Sequence, residues 1–286
     1  MRIANDELSV EISPLGAELQ SITGADGAEW LWHGDETFWK GRAPLLFPVV
    51  GKSPAGHVSI AGERFPMAPH GFTRTAVFAP LIADKTRCSF VLSDTEATRQ
   101  SFPFAFALTV THALEGRTLA TEVVIENRDA VPMPFGFGFH PALRWPLPGS
   151  EGRLHRVTLE SGGAPEMRRV DGEGLLRRGH IYPSPFVKGV LEPRHAHFAE
   201  DAMIFPDGAG PGLVFSAEGG RRVRCGSENL PDLALWTKPD APFLCIEPWH
   251  GTAPEAGTGD ALEDRPNTIL LPPGETARFA MQMTFD

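Results

Sequence analysis

Alternation of apolar and polar residues with a period of two is the dominant pattern along the chain. Residues 108–114 alternate in this way, Glu115-Gly116-Arg117 follows with turn chemistry, and every second side chain of residues 119–125 falls on one mostly apolar face. A period of two places alternate side chains on opposite faces of a β-strand, and a Gly-containing turn joins two such runs into a hairpin. These residues therefore predict a β-hairpin.

Further strands are predicted from one end of the chain to the other. Residues 2–12 form a second predicted hairpin with Asn5-Asp6 at its turn, and residues 58–65 form a third around Ala61-Gly62. The 30 Gly and 27 Pro favour many turns and few long helices. Shorter strands are predicted at residues 88–92, 202–205, 212–215, 233–237, 243–247 and 277–285.

Helix signals are few. Ser93-Asp94-Thr95-Glu96 has the sequence of a capping box and predicts a short helix that ends near Phe102, and residues 35–39 predict one further turn. No internal repeat, low-complexity segment or linker divides the chain. We therefore expect an all-β fold of two packed antiparallel sheets, organised as one domain over residues 1–286.

Charge and cysteine content restrict the classes of binding partner and the cellular compartment that we expect. The chain has 26 Lys+Arg and 36 Asp+Glu, a net charge of −10, which argues against nucleic acid or an anionic membrane as a partner. Cys88, Cys225 and Cys245 cannot all pair with one another and show no metal-ligand spacing, which fits a reducing compartment. The N-terminus lacks the apolar run of a signal peptide, and no segment approaches the roughly 18 apolar residues of a membrane helix. The expected localisation is cytoplasmic.

Two residues stand out within apolar, aromatic sequence. Glu247 ends a run of Phe, Leu, Cys and Ile, so burial would raise its pKa and make it a better base near neutrality; an ion-paired structural Glu is the alternative. His140 follows three alternate aromatics, which suits either a site residue or a core histidine. The segments that hold polar residues in such surroundings are 43–52, 69–74, 135–141 and 243–251.

Aromatic content points toward carbohydrate. Six tryptophans are many for this length, and the apolar faces of sugar rings stack on aromatic planes while sugar hydroxyls need charged partners. Trp30 and Trp32 are instead expected in the core. His195 and His197 would lie on one face of a strand as a metal pair, but no further ligand pattern supports them, so no metal is expected. Phosphate-loop, dinucleotide and nucleophile-elbow motifs do not occur.

The chain resembles the aldose 1-epimerases, or galactose mutarotase-like proteins, most closely a bacterial subgroup with aPxLFPxvG, HGFxR, FGxHP and IEPW segments. These lie at residues 43–51, 70–74, 137–141 and 246–249, and the family's opening and closing segments resemble residues 15–22 and 271–275. The resemblance thus runs from end to end in the right order. It implies a large twisted antiparallel β-sandwich, the supersandwich of this family, with a sugar cleft on one concave face.

The resemblance also implies an activity, the interconversion of the α and β anomers of a free aldose without a cofactor. By position in the motifs, Glu247 matches the general base and His140 the general acid. The substrate-binding residues that it implies are His70, Arg74, Asp201, Lys52 and Trp249. Lys52 replaces an arginine of the galactose-specific members, which keeps the charge but loses the bidentate fork.

Three functions remain open at this point. The first is a mutarotase for a hexose or pentose, or for a hexose 6-phosphate held by Arg42 and Arg74. The second is a non-catalytic sugar-binding or regulatory protein on the same fold, which would not need an acid–base pair. The third is a glycoside hydrolase that uses Glu247 and Asp201 as paired carboxylates.

Overall fold

The computed structural model describes residues 1–286, and nearly all of its regular structure is β-strand. One short helix, α1, spans Glu96–Arg99, and single 3-10 turns lie at Pro54–Gly56, Thr73–Thr75 and His195–Phe198. The strands, in chain order, are β1 (Arg2–Ala4), β2 (Leu8–Ile12), β3 (Leu19–Gly24), β4 (Leu45–Leu46), β5 (His57–Ile60), β6 (Glu63–Pro66), β7 (Ala79–Ala83), β8 (Arg87–Ser93), β9 (Phe106–Glu115), β10 (Thr118–Asn127), β11 (Met133–Phe135), β12 (Phe137–Phe139), β13 (Ala142–Arg144), β14 (His155–Leu159), β15 (Val190–Leu191), β16 (Met203–Phe205), β17 (Gly212–Ala217), β18 (Arg222–Glu228), β19 (Asp232–Trp236), β20 (Phe243–His250), β21 (Ile269–Leu271) and β22 (Thr276–Phe285).

Two large antiparallel sheets form the molecule. The first has nine strands in the order β15-β14-β17-β18-β22-β10-β9-β8-β7. The second has six strands, with β16-β19-β20-β12-β4 in order and β13 added on β20. Smaller sheets, β1-β2-β3, β5-β6 and β11-β21, complete the architecture. The predicted antiparallel β-sandwich is confirmed.

Local patterns predicted the hairpins well. The pairing of Thr118 with Glu115 places the turn of the β9–β10 hairpin at Gly116, as expected. The hairpins β1–β2 and β5–β6 also form at the predicted turns. The N-cap of α1 is Thr95, two residues after the predicted Ser93, and the helix ends at Arg99, before the predicted Phe102. The hydroxyl of Thr95 accepts from the amide of Thr98, and the hydroxyl of Thr98 accepts from the amide of Thr95.

One apolar core of 60 buried residues receives side chains from both large sheets. Strand β20 crosses the centre of the six-stranded sheet and is buried on both faces up to Trp249. Leu244 and Ile246 point into the large core, whereas Phe243 and Cys245 join a separate aromatic cluster. The period of two therefore places Glu247 on the face of β20 that points away from the large core. No helix has the length and apolar character needed to cross a membrane.

Candidate active site

A cleft of about 320 Å³ lies against this face of the six-stranded sheet. This volume is at the lower end of the range of small-molecule sites, which is about 300–1,000 Å³. Its walls combine aromatic rings with charged and imidazole side chains, a composition suited to a sugar. The lining residues are Trp39, Pro44, Leu46, His70, Arg74, His140, Asp201, Ala202, Trp236, Lys238, Glu247 and Trp249.

His140 and Glu247 meet at the cleft as a cross-strand pair. Strand β12 pairs with β20 through Phe137↔His250, and β13 continues the same register on β20 through Ala142↔Cys245. That register, carried across the break between the two strands, sets His140 opposite Glu247. Their side chains touch, with Nε2 of His140 3.0 Å from Oε2 of Glu247.

Burial controls the charge of this pair. Glu247 is 1% exposed and His140 8% exposed. Burial, with the negative charge of Asp201 as a smaller contribution, raises the pKa of Glu247 well above its usual value. Burial, with smaller electrostatic contributions from His70 and Arg74, lowers the pKa of His140 well below its usual value. A lone charge on either group is therefore disfavoured.

Aromatic rings hold His140 in place. The ring of Trp39 stacks on it at a centroid distance of 5.0 Å and an interplanar angle of 29°. Trp236 meets it edge-on at 5.7 Å. These two tryptophans belong to the set that the sequence associated with a carbohydrate cleft, while Trp30 and Trp32 are buried in the core as expected.

Trp249 covers another wall of the cleft and requires Gly138 beneath it. A Cβ on Gly138 would lie 2.4 Å from Cδ1 of Trp249, its cross-strand neighbour, so only glycine allows the ring this position. The indole Nε1 of Trp249 is buried and has no hydrogen-bond partner within the protein. The ring thus offers the cleft an apolar face, while its buried N–H has no acceptor in the protein.

His70 lies in a tight turn that fixes its tautomer. The amide of Gly51 donates a hydrogen bond of 3.2 Å to Nδ1 of His70, so the ring proton resides on Nε2. His70 and Gly71 both have positive φ angles, +63° and +75°, and a Cβ on Gly71 would lie 2.0 Å from the carbonyl oxygen of Phe47. Burial, together with the charges of Arg74 and Lys52, lowers the pKa of His70 to about 4. His70 is therefore a neutral N–H donor at the cleft.

The remaining predicted residues divide into two groups. Arg74, on the 3-10 turn at Thr73–Thr75, and Asp201, which precedes β16, both line the cleft. Lys52 does not: it is exposed, and its aliphatic stem packs over Gly174, where a Cβ would lie 2.6 Å from Cδ of the lysine. The sequence therefore predicted a cation near the site but not the direction of its side chain.

Sequence reasoning did not indicate Lys238, and it suggested positions for Arg42 and for a histidine pair that the structure does not show. Lys238 lines the cleft from the turn after β19, and only its place next to that strand end could have indicated it. The guanidinium of Arg42 lies elsewhere, bonded to the carbonyl of His33 at 2.8 Å and to the side chain of Gln20. Residues 195–198 form a 3-10 turn. The prediction of a strand that would present His195 and His197 on one face is therefore wrong.

Glu18 supports the cleft from behind, a role that the sequence did not indicate. Its Oε1 accepts hydrogen bonds from the amides of Arg42 and Ala43, at 2.8 and 2.9 Å. These amides begin the segment that carries Pro44 and Leu46 to the cleft wall. Glu18, which belongs to the opening motif at residues 15–22, therefore helps to position this segment.

Comparisons with known proteins agree with this architecture. The sequence profile of the family described as aldose 1-epimerase matches residues 1–179. The chain is 27% identical to Protein LacX, plasmid, of Lactococcus lactis subsp. lactis, over 99% of this chain and 98% of the relative. Two solved structures superpose closely. They are a galactose mutarotase related enzyme from Lactobacillus acidophilus (26% identity, TM-score 0.94, covering 100% of this chain and 97% of that chain) and a galactose mutarotase-like protein from Lactobacillus casei ATCC 334 (27% identity, TM-score 0.93, covering 100% and 99%). The profile match, which covers more than half of the sequence, shows that this chain belongs to the aldose 1-epimerase family.

Proposed function

We propose that the protein is an aldose 1-epimerase that interconverts the α and β anomers of a free aldose, with Glu247 as general base and His140 as general acid. The observation that carries the proposal is the buried contact of 3.0 Å between Nε2 of His140 and Oε2 of Glu247 in a cleft of sugar size. Mutarotation removes the proton from the C1 hydroxyl and delivers one to the ring oxygen. Because both oxygens are bonded to C1, an acid and a base that lie side by side can reach both.

The two halves of the reaction use different charge states of the pair. Ring opening starts from a Glu247 carboxylate and a His140 imidazolium, and it leaves a carboxylic acid and a neutral imidazole beside the open-chain aldehyde. The net charge of the pair is zero in both states. Burial of both side chains favours the neutral–neutral state, which is the one that closes the ring again after C1–C2 rotation, because Glu247 then returns a proton to O1 and His140 accepts one from O5.

The cleft supplies the contacts that a sugar needs. Trp39, Trp236 and Trp249 offer aromatic surface for the C–H faces of the ring. The Nε2–H of His70 donates to a hydroxyl or ring oxygen, and Asp201 accepts from hydroxyls. The fold already fixes these donors and acceptors, so their side chains lose little conformational entropy when a sugar binds.

The experiment is anomer exchange followed by NMR. Freshly dissolved α-D-glucose and α-D-galactose are incubated with the wild type, Glu247→Gln and His140→Asn, and the β-anomer signal is followed with time. We expect catalysed exchange in the wild type and a loss of about 10²–10⁴ in each variant, since each lacks one member of the acid–base pair. Matched controls are Glu228→Gln and His180→Asn, which change exposed groups of the same chemistry.

Each outcome has a defined meaning. Exchange that persists in Glu247→Gln or His140→Asn would overturn the assignment of the pair. Sugar binding to the wild type without any exchange would instead favour a non-catalytic sugar-binding protein.

One observation favours a second candidate, a mutarotase for a sugar that carries a phosphate. Arg74 and Lys238 both line the cleft, and neither takes part in an ion pair of the protein. Two free cations suit an anionic substituent. The test compares kcat/KM for glucose 6-phosphate and glucose in the wild type, Arg74→Met and Lys238→Met. A preference for the phosphate that both variants reduce, with a KM that rises with salt, supports this candidate; equal efficiency rejects it.

A further inference from the structure

A buried thiol lies next to the acid–base pair and has no part in the proposed reaction. Cys245 precedes Glu247 by two residues on β20, so its side chain is on the same face of the strand. It is 0% exposed and packs with Trp32, Ala142 and Phe243. Its cross-strand neighbours are Ala142 on β13 and Trp236 on β19.

The thiol, the imidazole and the carboxylate converge on one point. One ligand atom each from His140, Cys245 and Glu247 lies within 4.8 Å of the other two. His140 and Glu247 are already 3.0 Å apart. Nδ1 of His140 is buried without a hydrogen-bond partner, and Oε2 of Glu247 is buried without a well-aligned donor even though Nε2 of His140 lies 3.0 Å away.

These separations fit a tetrahedral divalent metal. Zinc binds imidazole nitrogen and carboxylate oxygen at about 2.0–2.2 Å and thiolate sulfur at about 2.3 Å, which sets ligand atoms roughly 3.3–3.8 Å apart. The His140–Glu247 separation of 3.0 Å is slightly shorter than this spacing, and the upper bound of 4.8 Å for the cluster exceeds it by about 1 Å. A Cys–His–carboxylate set selects zinc-class cations over magnesium or calcium, which prefer oxygen ligands alone.

We propose that His140, Glu247 and Cys245 form a binding site for a zinc-class divalent cation. The fourth metal position faces the cleft, because His140 and Glu247 line it. The thiol proton is released to water when the sulfur coordinates. A bound ion occupies the lone pairs that the acid–base reaction needs, so the ion would inhibit that reaction.

Metal binding is measured on the full-length protein after dialysis against a chelator and then against metal-free buffer. Equilibrium dialysis with Zn²⁺ gives stoichiometry and affinity, and Co²⁺ gives a spectroscopic signature because a cobalt–thiolate bond produces a charge-transfer absorption band. The variants are Cys245→Ala and the matched control Cys225→Ala, which removes another buried thiol, on β18 in the nine-stranded sheet. Cys245→Ser serves as a second variant if Cys245→Ala fails to fold.

We expect one Zn²⁺ per chain in the wild type and in Cys225→Ala, and at least about tenfold weaker binding in Cys245→Ala. The cobalt–thiolate band should be present in the first two proteins and absent from the third. No stoichiometric binding in the wild type, equal affinity in Cys245→Ala, or a band that survives there would overturn the proposal. Because these readouts need no turnover, they do not depend on whether the protein proves to be a mutarotase.

Discussion

Acidification is predicted to destabilise the protein through His112, a buried imidazole of β9. His112 is 1% exposed; its Nε2 lies 3.2 Å from the carbonyl oxygen of Ala17 and its Nδ1 lies 3.0 Å from the hydroxyl of Thr121. A carbonyl oxygen only accepts, so Nε2 carries the proton and Nδ1 accepts from the hydroxyl. Burial favours this neutral ring and lowers the pKa of His112 from 6.5 to about 4.

The magnitude follows from linkage between protonation and folding. The shift from 6.5 to about 4 is about 2.5 units, and at 1.36 kcal/mol per unit it corresponds to about 3 kcal/mol of stability. The pKa is lower in the folded state, so the unfolded chain binds the proton first as the pH falls. The contribution of His112 is therefore complete above about pH 6.5, declines as the pH falls toward about 4, and changes no further below that value.

The assay is urea unfolding followed by tryptophan fluorescence at several pH values between 7 and 4. His112→Gln removes the titrating ring, and His180→Gln is the control because it changes an exposed histidine. The stability advantage of the wild type over His112→Gln should shrink by about 3 kcal/mol between pH 7 and pH 4, whereas that over His180→Gln should stay constant. A wild-type advantage over His112→Gln that does not vary with pH would refute the reasoning.

Three further predictions concern the residues that shape the cleft. Glu18→Ala leaves two amides without their acceptor and should lower the free energy of unfolding by about 1–3 kcal/mol, whereas Glu18→Gln, which keeps a carbonyl oxygen, should lower it far less in urea titrations. Gly138→Ala places a Cβ 2.4 Å from Cδ1 of Trp249 and should displace that ring, lowering stability by about 1–3 kcal/mol and weakening sugar affinity measured by calorimetry; unchanged affinity would remove Trp249 from the binding surface. Trp39→Ala removes the ring stacked on His140 and should raise the KM for the sugar roughly tenfold, a loss of about 1.4 kcal/mol; an unchanged KM would contradict this role.

Local chemistry explains why the hairpins could be predicted from the sequence. Gly116 supplies the positive φ of +52° that the β9–β10 turn needs, and the alternation on either side fixes which side chains face inward. The sequence alone does not fix the start of the helix, because Ser93 and Thr95 are both residue types that suit an N-cap. The choice of Thr95 depends on β8 continuing through Ser93, a tertiary contact that no local pattern contains.

The direction of long side chains at the site was beyond sequence reasoning. Lys52 and Lys238 both follow apolar segments near strand ends, yet only Lys238 lines the cleft. The difference arises because the stem of Lys52 is drawn over Gly174, a residue more than a hundred positions away. Such a contact depends on how loops pack across the sheet, and a flexible four-carbon stem carries no directional preference of its own.

The meeting of His140 with Glu247 follows from strand register and from one proline. Between β12 and β13, the chain keeps its alignment with β20, and the carbonyl of Pro141 still accepts from the amide of Ile246 at 3.1 Å. Pro141 has no amide hydrogen to return to the ladder, so the strand is interrupted at the point where His140 faces Glu247. A register slip of one residue would turn His140 to the other face of the sheet. The aromatic residues that lock this register, Phe137 and Phe139 in the large core, are therefore as necessary to the site as the two residues that face the cleft.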